Sequence, residues 1–226
     1  MDILLIIIWV GLLTLLSLFG SWYARKFKRA DALIGLFVAF ILISNIIAYK
    51  IVAFDLGFTT FYATAATLVF AITFLLTDIV NEKFGRQETQ KMIFIAFFTQ
   101  IATTLIIYLA LELPAAPFWD GQAAFAQILG FAPRVIFASW VAFLISENTD
   151  AYLFSWFKRL THGKHLWMRN AFSSLPAMVL DTVIFVSIAF YGVQPLVPLI
   201  VGVTAIKWIV GVIDIPFIYL NRWMMR

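Results

Sequence analysis

The chain has 226 residues, of which 63% are hydrophobic and only 12% charged, with a mean hydropathy of +0.98 and a formal charge of +4. Soluble domains carry about 25% charged residues, so a soluble fold is all but excluded, and disorder and collagen-like structure go with it. Cysteine is absent, and the two histidines, His162 and His165, sit together in a basic loop; disulfides, thiolate metal sites and iron–sulfur clusters are excluded, and no metal or other cofactor is expected.

A helix crosses the bilayer core with about 20 residues. Residues 3–24 hold no charge and are long enough alone. Basic residues follow this run instead of preceding it, the reverse of a signal peptide, so it reads as a true span. Further apolar runs cover roughly 32–50, 60–80, 90–111, 135–157, 171–191 and 196–220. The expectation is an all-α, polytopic bundle of seven transmembrane helices. Six is the alternative, with the first run serving as an anchor.

Charge sets the orientation. Arg25, Lys26, Lys28 and Arg29 follow the first run, and Lys83, Arg86 and Lys91 follow the third. Lys158, Arg159, Lys164 and Arg169 follow the fifth, while Arg222 and Arg226 end the seventh. The intervening loops have only Lys50 and Arg134, at helix ends. By the positive-inside rule the N-terminus is outside and the C-terminus cytoplasmic. The same distribution assigns the basic character to membrane topology and not to nucleic acid.

The longest outer connection, residues 112–133, is broken by Pro114, Pro117, Gly121 and Gly130. Phe118-Trp119 suits an interfacial aromatic anchor, and a short surface helix is expected near residues 122–128. No linker, low-complexity tract or second domain interrupts the chain, so residues 1–226 read as one transmembrane domain. A shared D-x-x-x-F at Asp150–Phe154 and Asp181–Phe185 is too short to define an internal repeat.

Acids and a lysine lie deep inside these greasy runs. Each costs about 2.5–3.5 kcal/mol at the bilayer centre. Glu147 and Asp150 fall in the fifth run, Asp181 in the sixth, and Lys207 with Asp214 in the seventh. Asp78 and Glu82 fall near the inner end of the third, while Asn45 and Gln100 add uncharged polar groups. Spacings of three, four and seven residues put each set on one helix face. Such faces turn inward, which implies a polar cavity among the third, fifth, sixth and seventh spans. Asp78, Glu147, Asp150, Asp181 and Asp214 outnumber the single deep base, Lys207. The surplus is met by protonation, by bases at helix ends, or by a ligand rich in hydrogen-bond donors. The first two options are structural and the third is functional.

No P-loop, G-x-G-x-x-G, G-x-S-x-G or H-E-x-x-H is present, and no nucleophile–base set is visible, so an enzyme is not expected. Trp140 and Phe143 recur about one turn apart leading to Glu147. They can wall a pocket for a planar heterocycle, although packing explains any single ring as well.

Several blocks together resemble the queuosine-precursor transporters, also called vitamin uptake transporters. They are Ser44-Asn45, Thr77-Asp78 with Asn81-Glu82 and Gly85, Arg134 to Ser139, and Asp150-Ala-Tyr-Leu-Phe154 to Lys158. Leu166 to Asn170, Ser173-Ser174-Leu175, Asp181-Thr182, Phe190-Tyr191-Gly192, Lys207 and Asp214 to Tyr219 complete the set. The likeness runs from about Ser44 onward and leaves the first helix outside. It implies uptake of 7-cyano- or 7-aminomethyl-7-deazaguanine, or queuine, across the inner (plasma) membrane for tRNA modification. It also implies a bundle akin to the binding subunits of energy-coupling-factor vitamin transporters, working without the ATPase. Two positions depart from the pattern: Glu147 replaces a usual Gln, and Met178 a usual Gln or Asn.

A guanine-like edge offers N1–H and an amine as adjacent donors, which a carboxylate accepts together. The candidate substrate-binding set is therefore Asn45, Asp78, Arg134, Trp140, Glu147, Asp150, Asp181, Lys207 and Asp214. Glu147, Asp150 and Asp181 are the acceptors, and Lys207, Arg134 or Asn45 the donors to the ring carbonyl. The expected partners are the small-molecule base and the lipid bilayer, with no nucleic acid and the oligomeric state open, a homodimer included. Two rival classes are a binding subunit dependent on an ATPase and an intramembrane carboxylate enzyme.

Overall fold

A computed structural model describes residues 3–48, 50–55, 60–130, 133–192 and 196–225. Met1, Asp2 and Arg226 lie outside the described residues. The described chain is α1 (Ile3–Phe27), α2 (Asp31–Ile47), β1 (Ile51–Asp55), β2 (Thr60–Thr64), α3 (Ala66–Phe84), α4 (Arg86–Glu112), α5 (Gln122–Leu129), α6 (Pro133–Leu160), α7 (Leu166–Phe190) and α8 (Leu196–Met224).

Its distribution of polarity is that of a membrane protein. Leu12, Phe98, Ile106, Leu109, Phe137 and Val201 are exposed, while Asp78, Gln100, Glu147, Asp150, Arg169 and Lys207 are buried. Water would favour the reverse; lipid favours this arrangement. The helices α4, α7 and α8 are each long and apolar enough to cross a bilayer. Pro176 and Pro216 lie inside α7 and α8 without ending them, as membrane helices tolerate where neighbours satisfy the freed carbonyls.

The apolar core follows the helical period. On α2 the buried residues are Leu33, Phe37, Phe40, Ile41 and Ser44, one stripe at three- and four-residue steps. The four apolar ones pack with Ile72, Leu76 and Ile79 of α3, Ile93 and Ala96 of α4, and Phe143 and Phe154 of α6. The first helix joins the bundle through a polar clasp. The Ser21 hydroxyl donates to Asn221 Oδ1 at 2.6 Å, and Asn221 Nδ2 donates to Ser17 Oγ at 3.2 Å.

Two local features differ from the expected spans. The run at 60–80 begins as a strand, with Ile51↔Thr64 through Asp55↔Thr60 forming an antiparallel hairpin. These segments are rich in β-branched and aromatic residues, which suit a pleated ribbon, and Val52 and Ala63 pack beside Ile206 of α8. The helix proper starts at Ala66. The other difference is at the end of α3, where no loop intervenes: Gly85 alone, at φ +85°, joins α3 to α4. The short helix α5 occupies the place expected for a surface helix.

Candidate functional site

Side-chain contacts define how the polar helices run. Thr73, Thr77, Asn81 and Glu82 of α3 meet Glu147, Asp150, Ser155 and Lys158 of α6 in the same order, so these two helices are parallel. Asn170 and Ser174 of α7 meet Asp78, and Arg169 meets Glu82, so α7 is antiparallel to both. Lys207 of α8 meets Asp181, and Tyr219 meets Trp167, so α8 runs antiparallel to α7. The polar residues on these four helices consequently stack in layers. At about 1.5 Å per residue, Thr73 to Glu82 covers roughly 13 Å, nearly half of a bilayer core.

The first layer is a charge hub. Glu82 takes Arg169 Nη1 at 2.7 Å, Lys158 Nζ at 3.0 Å and Arg222 Nε at 3.6 Å, one base from each of α7, α6 and α8. Lys158 Nζ also donates to the Glu82 carbonyl at 2.7 Å. Arg169 is fully buried. The neighbours in sequence, Lys83 and Arg86, do not serve Glu82: Lys83 Nζ donates to the Met225 carbonyl at 2.9 Å, and the Arg86 guanidinium lies over the Tyr152 ring.

The next layers hold three buried acids that have no lysine or arginine in ion-pair range among the described residues. Asp78 Oδ2 accepts from the Asn170 amide and lies 3.3 Å from Ser174 Oγ. Asp150 Oδ1 lies 3.0 Å from the same Ser174 Oγ, and its Oδ2 lies 3.2 Å from Thr77 Oγ1. Glu147 Oε1 lies 3.1 Å from Thr73 Oγ1, and its Oε2 has no partner, nor has Asp78 Oδ1. Thr73 Oγ1 is also only 2.6 Å from the Phe70 carbonyl. A hydroxyl has one proton to give, and the closer acceptor is the carbonyl. Glu147 is therefore a buried carboxyl group short of donors at both oxygens.

The last layer is a paired one. Lys207 Nζ donates to Asp181 Oδ2 at 2.5 Å, and Ser146 Oγ lies 3.2 Å from Asp181 Oδ1. The Lys207 ammonium also sits 5.1 Å from the Phe70 ring centroid. Met178, one helical turn before Asp181, is buried against Ala177 and Phe74.

Of the sequence candidates, Asp78, Glu147, Asp150, Asp181 and Lys207 thus come together. Asn45 does not join them: its amide donates to Gln100 Oε1 at 3.2 Å, between α2 and α4. Trp140 packs edge-on against Phe97, with ring centroids 6.4 Å apart. The side chains of Arg134 and Asp214 lie outside the described residues. The candidate set left out the neutral partners Thr73, Thr77, Ser146, Asn170 and Ser174, although Thr77, Asn170 and Ser174 stand in the blocks that carry the resemblance. A signal was there: Thr73 and Thr77 are four apart, as are Asn170 and Ser174, and Asp181 continues the α7 stripe seven residues on.

The family model described as "Putative vitamin uptake transporter" matches residues 64–221. A "Probable queuosine precursor transporter" of Bacillus subtilis (strain 168) is 31% identical over 167 residues, 72% of this chain and 73% of that protein. A "Queuosine precursor transporter" of Escherichia coli (strain K12) is 30% identical over 131 residues, 58% of this chain and 57% of that protein. One of the same kind from Haemophilus influenzae is 29% identical over 132 residues. This chain therefore spans somewhat over half the length of the E. coli relative. No solved structure matches it. With 158 consecutive residues under the family model, and acids set on facing helices within them, the chain belongs to the vitamin uptake transporter family.

Proposed function

We propose that this protein imports queuosine precursors, 7-cyano- or 7-aminomethyl-7-deazaguanine, with queuine as the alternative, across the cell membrane. The relatives named above support the substrate class. Support for the site comes from Glu147, a buried carboxyl with one oxygen unpartnered and the other 3.1 Å from a Thr73 hydroxyl that lies closer to a backbone carbonyl. The guanine-like edge brings two adjacent N–H donors that such a group lacks. The Asp181–Lys207 pair, a layer away, supplies a cation that can turn to the ring carbonyl. Asp78 and Asp150 engage one another through Ser174 and are left out of the substrate contact.

In this reading the seven long helices span the bilayer with the N-terminus outside, and the site lies near the midplane. The fold is of the energy-coupling-factor binding-subunit kind, and it acts without an ATPase. The acid layers and the Glu82 hub are alternately exposed as the base moves inward.

The test is growth of a strain unable to make the precursor, supplied with each base, with queuosine in its tRNA as the readout. Expression of the chain restores the modified nucleoside, and Glu147→Ala abolishes this at equal membrane abundance. A chain that reaches the membrane and restores nothing overturns the substrate class. Normal rescue by Glu147→Ala overturns the site.

A further inference from the structure

Ser174 stands between two carboxyl groups, 3.0 Å from Asp150 Oδ1 and 3.3 Å from Asp78 Oδ2. Its hydroxyl owns one proton and can donate to one of them only. The other contact is favourable only if that carboxyl donates to Ser174 Oγ. Asp78 Oδ2 already accepts from Asn170 Nδ2, so it is the acceptor here too. The extra proton then belongs on Asp150 Oδ1, in the order Asp150 O–H to Ser174 Oγ, and Ser174 O–H to Asp78 Oδ2. Turning the Asn170 amide over would move this proton to Asp78 without removing it. Two carboxyl groups bridged by one hydroxyl thus hold one proton between them, as like charges in a dry site demand.

We propose that the protein carries a proton with its substrate, and that Asp150, bridged to Asp78 by Ser174, is the group that carries it. This rests on the transport reading above. The charged groups around the pair are accounted for. On α6, Glu147 lies one turn away, and it is where the substrate edge docks. On α3, Glu82 is neutralised by Arg169, Lys158 and Arg222. Between α7 and α8, Asp181 is neutralised by Lys207. Neither α2 beyond Asp31 nor α4 from Met92 to Leu111 brings a carboxylate, lysine or arginine; the Asp214 side chain lies outside the described residues. Among the described residues the pair therefore has no protein cation to balance it, and a proton is the balancing charge it takes up on one side and releases on the other.

The experiment uses the purified full chain in proteoliposomes with 7-cyano-7-deazaguanine, whose charge does not change across the pH range used. Membrane potential is clamped with potassium and valinomycin. An inward proton gradient of one pH unit should drive accumulation of the base up to about tenfold, the limit for one proton per substrate, with measurable proton entry. Asp150→Asn keeps the donor to Ser174 without a releasable proton. It should retain counterflow exchange and lose gradient-driven accumulation. Ser174→Ala, which removes the bridge, should lower accumulation more than exchange. Wild-type exchange with no response to the gradient overturns the proton proposal and leaves the transport reading standing. Gradient-driven accumulation by Asp150→Asn overturns the assignment to this pair. Absence of exchange in the wild type overturns both readings.

Discussion

Replacing Lys207 by Met keeps an unbranched apolar stem one atom shorter and removes the ammonium with its charge and donors. In the protein Lys207 Nζ is 2.5 Å from Asp181 Oδ2, and the side chains of the pair are 8% and 7% exposed. Removing one partner of a buried pair costs about 3–5 kcal/mol, because the other charge is left unpaired. The Ser146 hydroxyl, 3.2 Å from Asp181 Oδ1, remains, but it is present with or without Lys207 and a hydrogen bond to a charged group is worth only about 1.5–3 kcal/mol. Loss of the ammonium from the Phe70 face adds about 0.5–2 kcal/mol. At about 2–4 °C per kcal/mol for a chain of this size, Lys207→Met should lower the melting temperature in detergent by roughly 7–28 °C. Asp181→Asn combined with Lys207→Met removes both charges, and most of the loss should be recovered. Tryptophan fluorescence during heating reads this directly. Under the proposed site, uptake should stay low in the double variant, since the cation assigned to the ring carbonyl is gone. A single variant that melts within about 2 °C of the wild type, or a double variant no better than the single, would refute the idea that this is a dry, mutually dependent pair.

Other outcomes follow from the remaining layers. Glu82→Gln strands the fully buried Arg169 and should destabilise by about 3–5 kcal/mol, whereas Arg222→Ala, 3.6 Å from Glu82 and partly exposed, should change stability by about 0–1 kcal/mol; thermal melts of the two variants side by side would show an equal loss if the hub were a loose surface cluster. Asn221→Leu breaks the Ser17–Ser21 clasp and should cost about 1 kcal/mol, with faster proteolysis of α1 in micelles; unchanged protection would show that α1 is held by apolar packing alone. Gly85→Ala should cost about 1–3 kcal/mol, because φ is +85° and no atom lies within 4 Å of an added Cβ, so strain and not collision is responsible; a neutral result in denaturant titration would mean the α3–α4 junction adopts another conformation.

Much of this was legible one residue at a time. The apolar runs located the helices, because hydrophobic length is a local property. The cost of placing a charge in lipid required Asp78, Glu147, Asp150, Asp181 and Lys207 to turn inward before any partner was known. Local rules failed where the competing signal was also local: residues 60–64 are apolar enough for a span, yet their β-branched and aromatic content pairs them with residues 51–55. The α3–α4 loop vanished because one glycine at positive φ makes the turn alone.

Partner choice belonged to the tertiary structure. Lys83 and Arg86 are the bases nearest Glu82 in the chain; the bundle instead brings Lys158, Arg169 and Arg222 from three other helices. Sequence could count more acids than bases, but not say that Lys207 goes to Asp181 while Asp78, Glu147 and Asp150 are left to Thr73, Thr77, Asn170 and Ser174. The physical reason is that lipid penalises a charge wherever it sits on a helix, whereas which neutral or charged group meets it depends on helix direction and register. Those are decided by close packing between helices, since apolar surface alone gives membrane helices little preference for one neighbour over another.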